Sequence, residues 1–172
     1  MMRHTLKIII GIFIIGIIAF LGYSIITNLN NKEKVADRIR TIPHFSFKTI
    51  EGEVFSQIEI SKTKPKLFIY FNSSCDFCKA EAKQIQENSD QLDGVQLLFV
   101  SFEDKKEIKA FASEYGLLNQ MNMIFLEDES MEFSEIFDVK SIPFMLLYSK
   151  DNRLIKKFKG LTKIENVIML LE

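Results

Sequence analysis

Tryptophan is missing from this chain of 172 residues, cysteine and histidine occur twice each, and proline occurs three times. A charge excess of either sign is missing too: Lys and Arg nearly balance Asp and Glu, leaving a net charge of −1. Without a basic surplus there is no electrostatic footprint for nucleic acid, and no such partner is expected. Internal repeats and low-complexity tracts are also lacking. What is present is a globular composition, with 47% hydrophobic and 26% charged residues. The 16 phenylalanines supply apolar area for one core, and the length suits one domain with an appendage.

Charge disappears altogether from Ile8 to Ile26, IIIGIFIIGIIAFLGYSII. As a helix that run spans about 28 Å, close to the hydrocarbon thickness of a bilayer. A soluble core helix needs a polar face, and this segment has none. It is therefore expected to be a transmembrane anchor over 8–26 in contact with membrane lipid. Arg3, His4 and Lys7 precede it, which favours a cytoplasmic N-terminus over 1–7 and puts the rest outside the cytoplasm. The other reading is a cleaved signal peptide. Neither Ala19-Phe20-Leu21 nor Gly22-Tyr23-Ser24 makes a good cleavage site, and no cysteine there offers a lipoprotein site. The glycines form no G-x-x-x-G, so no helix dimer follows from them.

Residues 27–42 are polar and charged to Arg40, and read as a linker ahead of a domain over 43–172. Alternation in FSFKTI, a Glu51-Gly52 turn and EVFSQIEI predict a β-hairpin between Pro43 and Ile60, ended by Lys64-Pro65. Leu67–Phe71 and Val95–Phe102 are continuous apolar runs, as in strands buried on both faces. Between them, Cys75–Asn88 is rich in helix formers and free of Gly and Pro. Lys105–Tyr115 is an amphipathic helix closed by Gly116. A short strand at Met123–Leu126 and a short helix at Met131–Phe137 follow. Pro143–Tyr148 and Arg153–Phe158 form a second hairpin around Lys150-Asp151-Asn152. A last helix is capped by Thr162, with Ile164, Val167, Ile168 and Leu171 inward. Alternation of this kind predicts an α/β fold, a mixed sheet with helices on both sides.

The two cysteines sit together as Cys75-Asp76-Phe77-Cys78. Their position says more than their spacing, because they follow a buried strand and open a helix. There the unpaired N–H groups and the positive end of the helix dipole favour a thiolate on Cys75, the attacking species in disulfide exchange. Cys78, one turn on, can resolve a mixed disulfide formed on Cys75. A structural zinc site takes about four ligands, and only His4 and His44 remain to add. A static disulfide so close in sequence would close a tiny loop and constrain the unfolded chain little. Pro143, taken alone, is an ordinary strand-opening proline.

The segments FSFKTIEGEVF, FIYFNSSCDFCKAEA and FDVKSIPFMLLYSKDNRLIKKFKG, with the closing helix and the single N-terminal span, closely resemble the thioredoxin superfamily. Within it, they are most similar to membrane-anchored reductases of the TlpA/ResA type, over residues 43–171. The resemblance implies a thioredoxin-like mixed sheet with an N-terminal hairpin extension. It implies Cys75 as nucleophile, Cys78 as resolving cysteine, and Pro143 as a cis proline facing the dithiol. Ile142, with Pro143 and Phe77, would meet substrate. Glu81 matches the acid of a C-x-x-C-x-x-E stretch that influences cysteine proton transfer, although on residue type alone it could equally face solvent. The implied partners are disulfide-bearing exported proteins, apocytochrome c among them, and a membrane electron donor. No cofactor beyond the Cys75–Cys78 disulfide and no metal are implied.

The chain departs from the family pattern at Ser74, Phe77, Ile69 and Lys83, and Asp76-Phe77 leaves the direction of electron flow open. Two other functions stay in view. A peroxiredoxin would want P-x-x-x-[ST]-x-x-C, where this chain has Phe68 and Asn72. A copper metallochaperone would use the soft thiolates, but CxxC lacks the wider spacing and the downstream histidine.

Overall fold

The computed structural model describes residues 2–118 and 120–171, with side chains from Phe13 onward. It divides into two compact units between Arg38 and Ile39. The first is a single helix, α1 (Met2–Arg38). From Phe13 on it is long and apolar enough to cross a membrane, and none of its apolar window is buried. The side chains of the basic N-terminal segment, and those of residues 8–12 of the anchor, lie outside the described residues.

The linker expected over 27–42 is corrected in two respects. Helix α1 runs on to Arg38, because Thr27–Arg38 contains no Gly or Pro and many good helix formers. The Thr27 hydroxyl donates back to the Tyr23 and Ser24 carbonyls, both at 3.0 Å, so it does not interrupt the helix. The globular unit then begins at Ile39 rather than at 43, since Ile39 and Ile42 are both core residues. The Tyr148 hydroxyl donates to the Ile39 carbonyl at 3.0 Å, and Thr41 bridges to Arg153.

The second unit is built on a seven-stranded sheet of β1 (Ser46–Thr49), β2 (Val54–Ser56), β3 (Lys66–Tyr70), β4 (Gln96–Ser101), β5 (Met123–Glu127), β6 (Phe144–Tyr148) and β7 (Leu154–Lys159), in the order β2-β1-β5-β4-β3-β6-β7. Strands β3, β4 and β5 run parallel, and the other pairings are antiparallel. The helices are α2 (Asp76–Glu87), α3 (Ser89–Leu92), α4 (Lys105–Glu114), α5 (Glu132–Phe137) and α6 (Glu165–Ile168). The mixed sheet and its N-terminal hairpin are those expected.

Every residue of β3 and β4 is buried, as the apolar stretches Leu67–Tyr70 and Leu97–Val100 require, and the polar Lys66, Gln96 and Ser101 at their ends are covered too. The two faces of β3 have different neighbours. Leu67, Ile69 and Phe71 pack with Ala82 and Ile85 of α2, Ile108 and Phe111 of α4 and Val167 of α6. Phe68 and Tyr70 face an aromatic layer: Phe68 lies 5.7 Å from both Phe45 and Phe137, and Tyr70 stacks on Phe133 of α5 at 5.0 Å. Phenylalanine thus fills the volume that a tryptophan-free core leaves to it.

Local chemistry explains the boundary differences. The hairpin turns at Gly52, whose φ of 96° suits a residue without Cβ. Strand β2 stops at Ser56 instead of reaching Ile60, because the Ser56 N–H and hydroxyl both donate to Glu59 Oε2 at 2.7 Å and fold the chain into a turn. Thr162 does not cap the last helix: its hydroxyl donates to the Gly160 carbonyl at 3.2 Å. Helix α6 starts later, with Ile164 at its N-cap, and Ile164 N–H donates to Gln84 Oε1 of α2 at 3.2 Å. Ile164 and Val167 are buried as expected, whereas Ile168 and Leu171 are only half-buried.

Candidate active site

Strand pairing gathers three loops at one edge of the sheet. Tyr70, at the end of β3, pairs with Val100 near the end of parallel β4 and with Phe144 at the start of antiparallel β6. The Asn72–Cys75 loop, the residues after Ser101 and the Ile142–Pro143 peptide therefore emerge together, at the carboxyl ends of the parallel strands, where α/β folds place their sites.

Cys75 is the N-cap of α2, with extended backbone angles of φ −81° and ψ 115°. Its N–H donates to the Asn72 carbonyl at 3.2 Å and its carbonyl accepts from Lys79 N–H at 3.0 Å, so the helix begins on it. Among the described residues, no side chain caps this terminus. Cys75 is half-buried while Cys78, in the first turn, is 2% exposed, and both are free thiols. Burial pushes the Cys78 thiol well above the ordinary thiol range. The Cys75 side chain and the charge of Glu81 act in the same direction, and the Asn72 backbone N–H opposes them. The dithiol is thus one reachable sulfur with a second sealed behind it.

Glu81 is not the solvent-facing glutamate that its residue type left open. It is 1% exposed on the buried side of α2, and among the described residues no group meets either carboxylate oxygen with good hydrogen-bond geometry. Burial pushes its carboxyl up to about 8, against a smaller opposing pull from the Thr162 backbone. An acid in such surroundings changes its proton near neutral pH.

Phe77 is 61% exposed in the first turn of α2. Asp76 points to solvent and pairs with Lys79 at 3.4 Å. The Ile142–Pro143 peptide bond is cis. Pro143 is buried, its carbonyl accepts from Gly160 N–H at 2.8 Å, and Ile142 is half-buried against the same apolar cluster as the two cysteines. All six residues expected at the site therefore fall along this edge of the fold or on the helix that opens there. Among the described residues, no group of three or more His, Cys, Asp or Glu is placed to hold a metal ion.

Sequence reasoning missed Glu103. Its carboxylate accepts from Ser73 N–H at 2.7 Å and from the Ser73 hydroxyl at 2.6 Å, two residues before Cys75. The two residues lie thirty positions apart, and no spacing in the chain connects them.

Comparison with known proteins agrees with this geometry. The profile of the AhpC/TSA family matches residues 40–168. A thioredoxin-like protein of Haemophilus influenzae is 24% identical over 135 residues, covering 78% of each chain. A secreted disulfide oxidoreductase of Mycobacterium tuberculosis superposes with a TM-score of 0.63 at 18% identity, over 78% of this chain and 96% of its own. StoA from Bacillus subtilis superposes with a TM-score of 0.61 at 22% identity, over 77% of this chain and 99% of its own. At such identities the likeness is one of fold, and the fold is thioredoxin-like.

Proposed function

The chain belongs to the AhpC/TSA family, and on that premise we propose that it is a membrane-anchored thiol–disulfide oxidoreductase that reduces disulfides of exported proteins. One observation carries the reading: a reachable Cys75 at the N-cap of α2 with Cys78 buried one turn behind it. In the reaction, Cys75 Sγ attacks one sulfur of a substrate disulfide, and the other sulfur leaves as a thiolate. Cys78 Sγ then attacks Cys75 Sγ, releasing the second substrate sulfur and closing the Cys75–Cys78 disulfide. The substrate gains two electrons and the protein loses two. Glu81, in its ionised form, takes the Cys78 proton in the second step, since the two side chains are buried one turn apart on the same face of α2. Ile142 and Pro143 support an extended substrate segment beside the dithiol, and exposed Phe77 meets it from the helix side.

Each turnover leaves the pair oxidised, so a membrane electron donor must restore it. The apolar helix α1 supports a single-pass anchor, and Arg3, His4 and Lys7 ahead of its apolar run favour a catalytic domain on the extracytoplasmic side. The secreted mycobacterial oxidoreductase supports the same side. Exported proteins, apocytochrome c being one class, are the substrates of this reading. Peroxide reduction has less support, because Phe68 is fully buried in the aromatic layer and Asn72 brings no hydroxyl to the site.

Two measurements test the proposal. Cys78→Ser should trap exported proteins as mixed disulfides on Cys75, and the reduction potential of the wild-type pair should lie near about −270 mV rather than about −120 mV. A variant that captures nothing while Cys75 remains alkylatable would end the reading.

A further inference from the structure

We infer that Glu103 is a positioning residue for the dithiol, holding the loop before Cys75 so that Cys78 can complete the release step; the inference rests on the activity proposed above. Glu103 follows β4, where the Ser101 hydroxyl donates to Glu103 Oε2 at 3.0 Å and accepts from Glu103 N–H at 3.2 Å. Ser101 is itself fully buried, so this reciprocal pair roots the carboxylate in the sheet. Both oxygens then reach across to Ser73, Oε2 to its N–H at 2.7 Å and Oε1 to its hydroxyl at 2.6 Å. These are short, charge-assisted bonds of the stronger kind. Two of the three bonds that the carboxylate accepts thus fall on one residue of the active-site loop.

That residue is well placed to transmit the constraint. Its neighbour Asn72 accepts Ser74 N–H on its side-chain oxygen at 2.9 Å and Cys75 N–H on its carbonyl at 3.2 Å. The backbone N–H of Asn72 also acts on the Cys78 thiol, favouring charge on that buried sulfur against the effect of burial. Clamping Ser73 therefore holds Asn72, which bonds the Cys75 N–H directly and bears on the Cys78 thiol at the other end of the turn.

In the release step the Cys78 Sγ–Cys75 Sγ bond forms and the Cys75 Sγ–substrate bond breaks. The proton of Cys78 passes to Glu81, and the substrate sulfur departs with the electron pair. Charge on Cys78 must be supported before its bond forms, so a loop that swings away slows release. Capture by Cys75 asks less of the Asn72 N–H.

The test uses the full chain in detergent, reduced, and mixed with an excess of a disulfide-bearing peptide in single turnover. In Glu103→Ala, release should slow about tenfold, the loss of roughly one hydrogen bond at the reacting sulfur. The mixed disulfide should accumulate, visible by intact mass, while the rate of capture changes by less than about threefold. Glu103→Gln should fall between, because its oxygen can still accept Ser73 N–H but its amide nitrogen cannot accept the hydroxyl. If the alanine variant fails to fold, the glutamine variant decides. Wild-type release in a folded variant, or capture and release slowed by one common factor, overturns the inference while the dithiol reading stands. A wild-type protein that reduces no disulfide overturns that reading, and this inference with it.

Discussion

Cys78 and Glu81 lie one turn apart on the buried side of α2, the thiol 2% and the carboxyl 1% exposed, and the carboxylate charge raises the thiol further. Residues at i and i+3 share a helix face, so the proximity follows from the helix itself. The seclusion follows from what covers that face: β3, β6 and the segment from Gly160 to Ile164, tied down by Gly160 N–H to Pro143 and Ile164 N–H to Gln84.

Under the proposed reaction, this pairing predicts a pH dependence of defined direction. Glu81 accepts a proton only when ionised, and its carboxyl titrates at about 8. Disulfide reduction under saturating substrate should therefore rise with pH through about 8, and Glu81→Gln should remove that inflection. An unchanged pH profile in a folded Glu81→Gln protein would remove Glu81 from the proton path.

The same carboxyl couples stability to pH. Its folded value, about 8, lies above the ordinary 4.5, so between these values the native state binds a proton that the unfolded chain has released. Its contribution is complete below about 4.5 and is lost as pH rises through about 8. Denaturant titrations at pH 5 and pH 9 should show a loss of a few kcal/mol in the wild type. Glu81→Gln should shrink that difference, as a neutral amide has no proton to lose.

Thiol reactivity should be one-sided. Brief iodoacetamide treatment of the reduced native protein should give a single adduct on Cys75, because Cys78 is buried and its thiol is held protonated. A second adduct should appear only in denaturant. Equal labelling of both under native conditions would contradict the buried placement of Cys78.

The start of the globular unit can be tested by truncation. A chain beginning at Ile39 should keep the full fold, whereas one beginning at Pro43 loses two buried isoleucines and the acceptor of the Tyr148 hydroxyl. Each isoleucine contributes about 1.5–3 kcal/mol by burial. The shorter chain should therefore melt markedly lower in a thermal scan of the two purified domains.

Much of this was legible in the chain. Unbroken runs such as Leu67–Phe71 announce strands covered on both sides, and the glycine-free, proline-free stretch after Cys75 announces its helix. Boundaries read less well where a side chain overrides the pattern, as Glu59 does at Ser56 and Gln84 does at Ile164. The stretch after Thr27 reads as a linker by its charge, which suits a linker and an exposed helix equally; its lack of Gly and Pro is what favours the helix.

The sequence by itself determined the apolar N-terminal segment, the α/β order and the CxxC at a strand-to-helix junction. Each is a local property of hydrophobic period, composition or spacing along the backbone. Only the tertiary structure decided that Cys78 and Glu81 are sealed, that the Ile142–Pro143 peptide lies at the same edge of the sheet as the dithiol loop, and that Glu103 grips Ser73. Burial and long-range hydrogen bonds depend on which strands pair and which loops close over them, and those relationships span residues that share no local pattern.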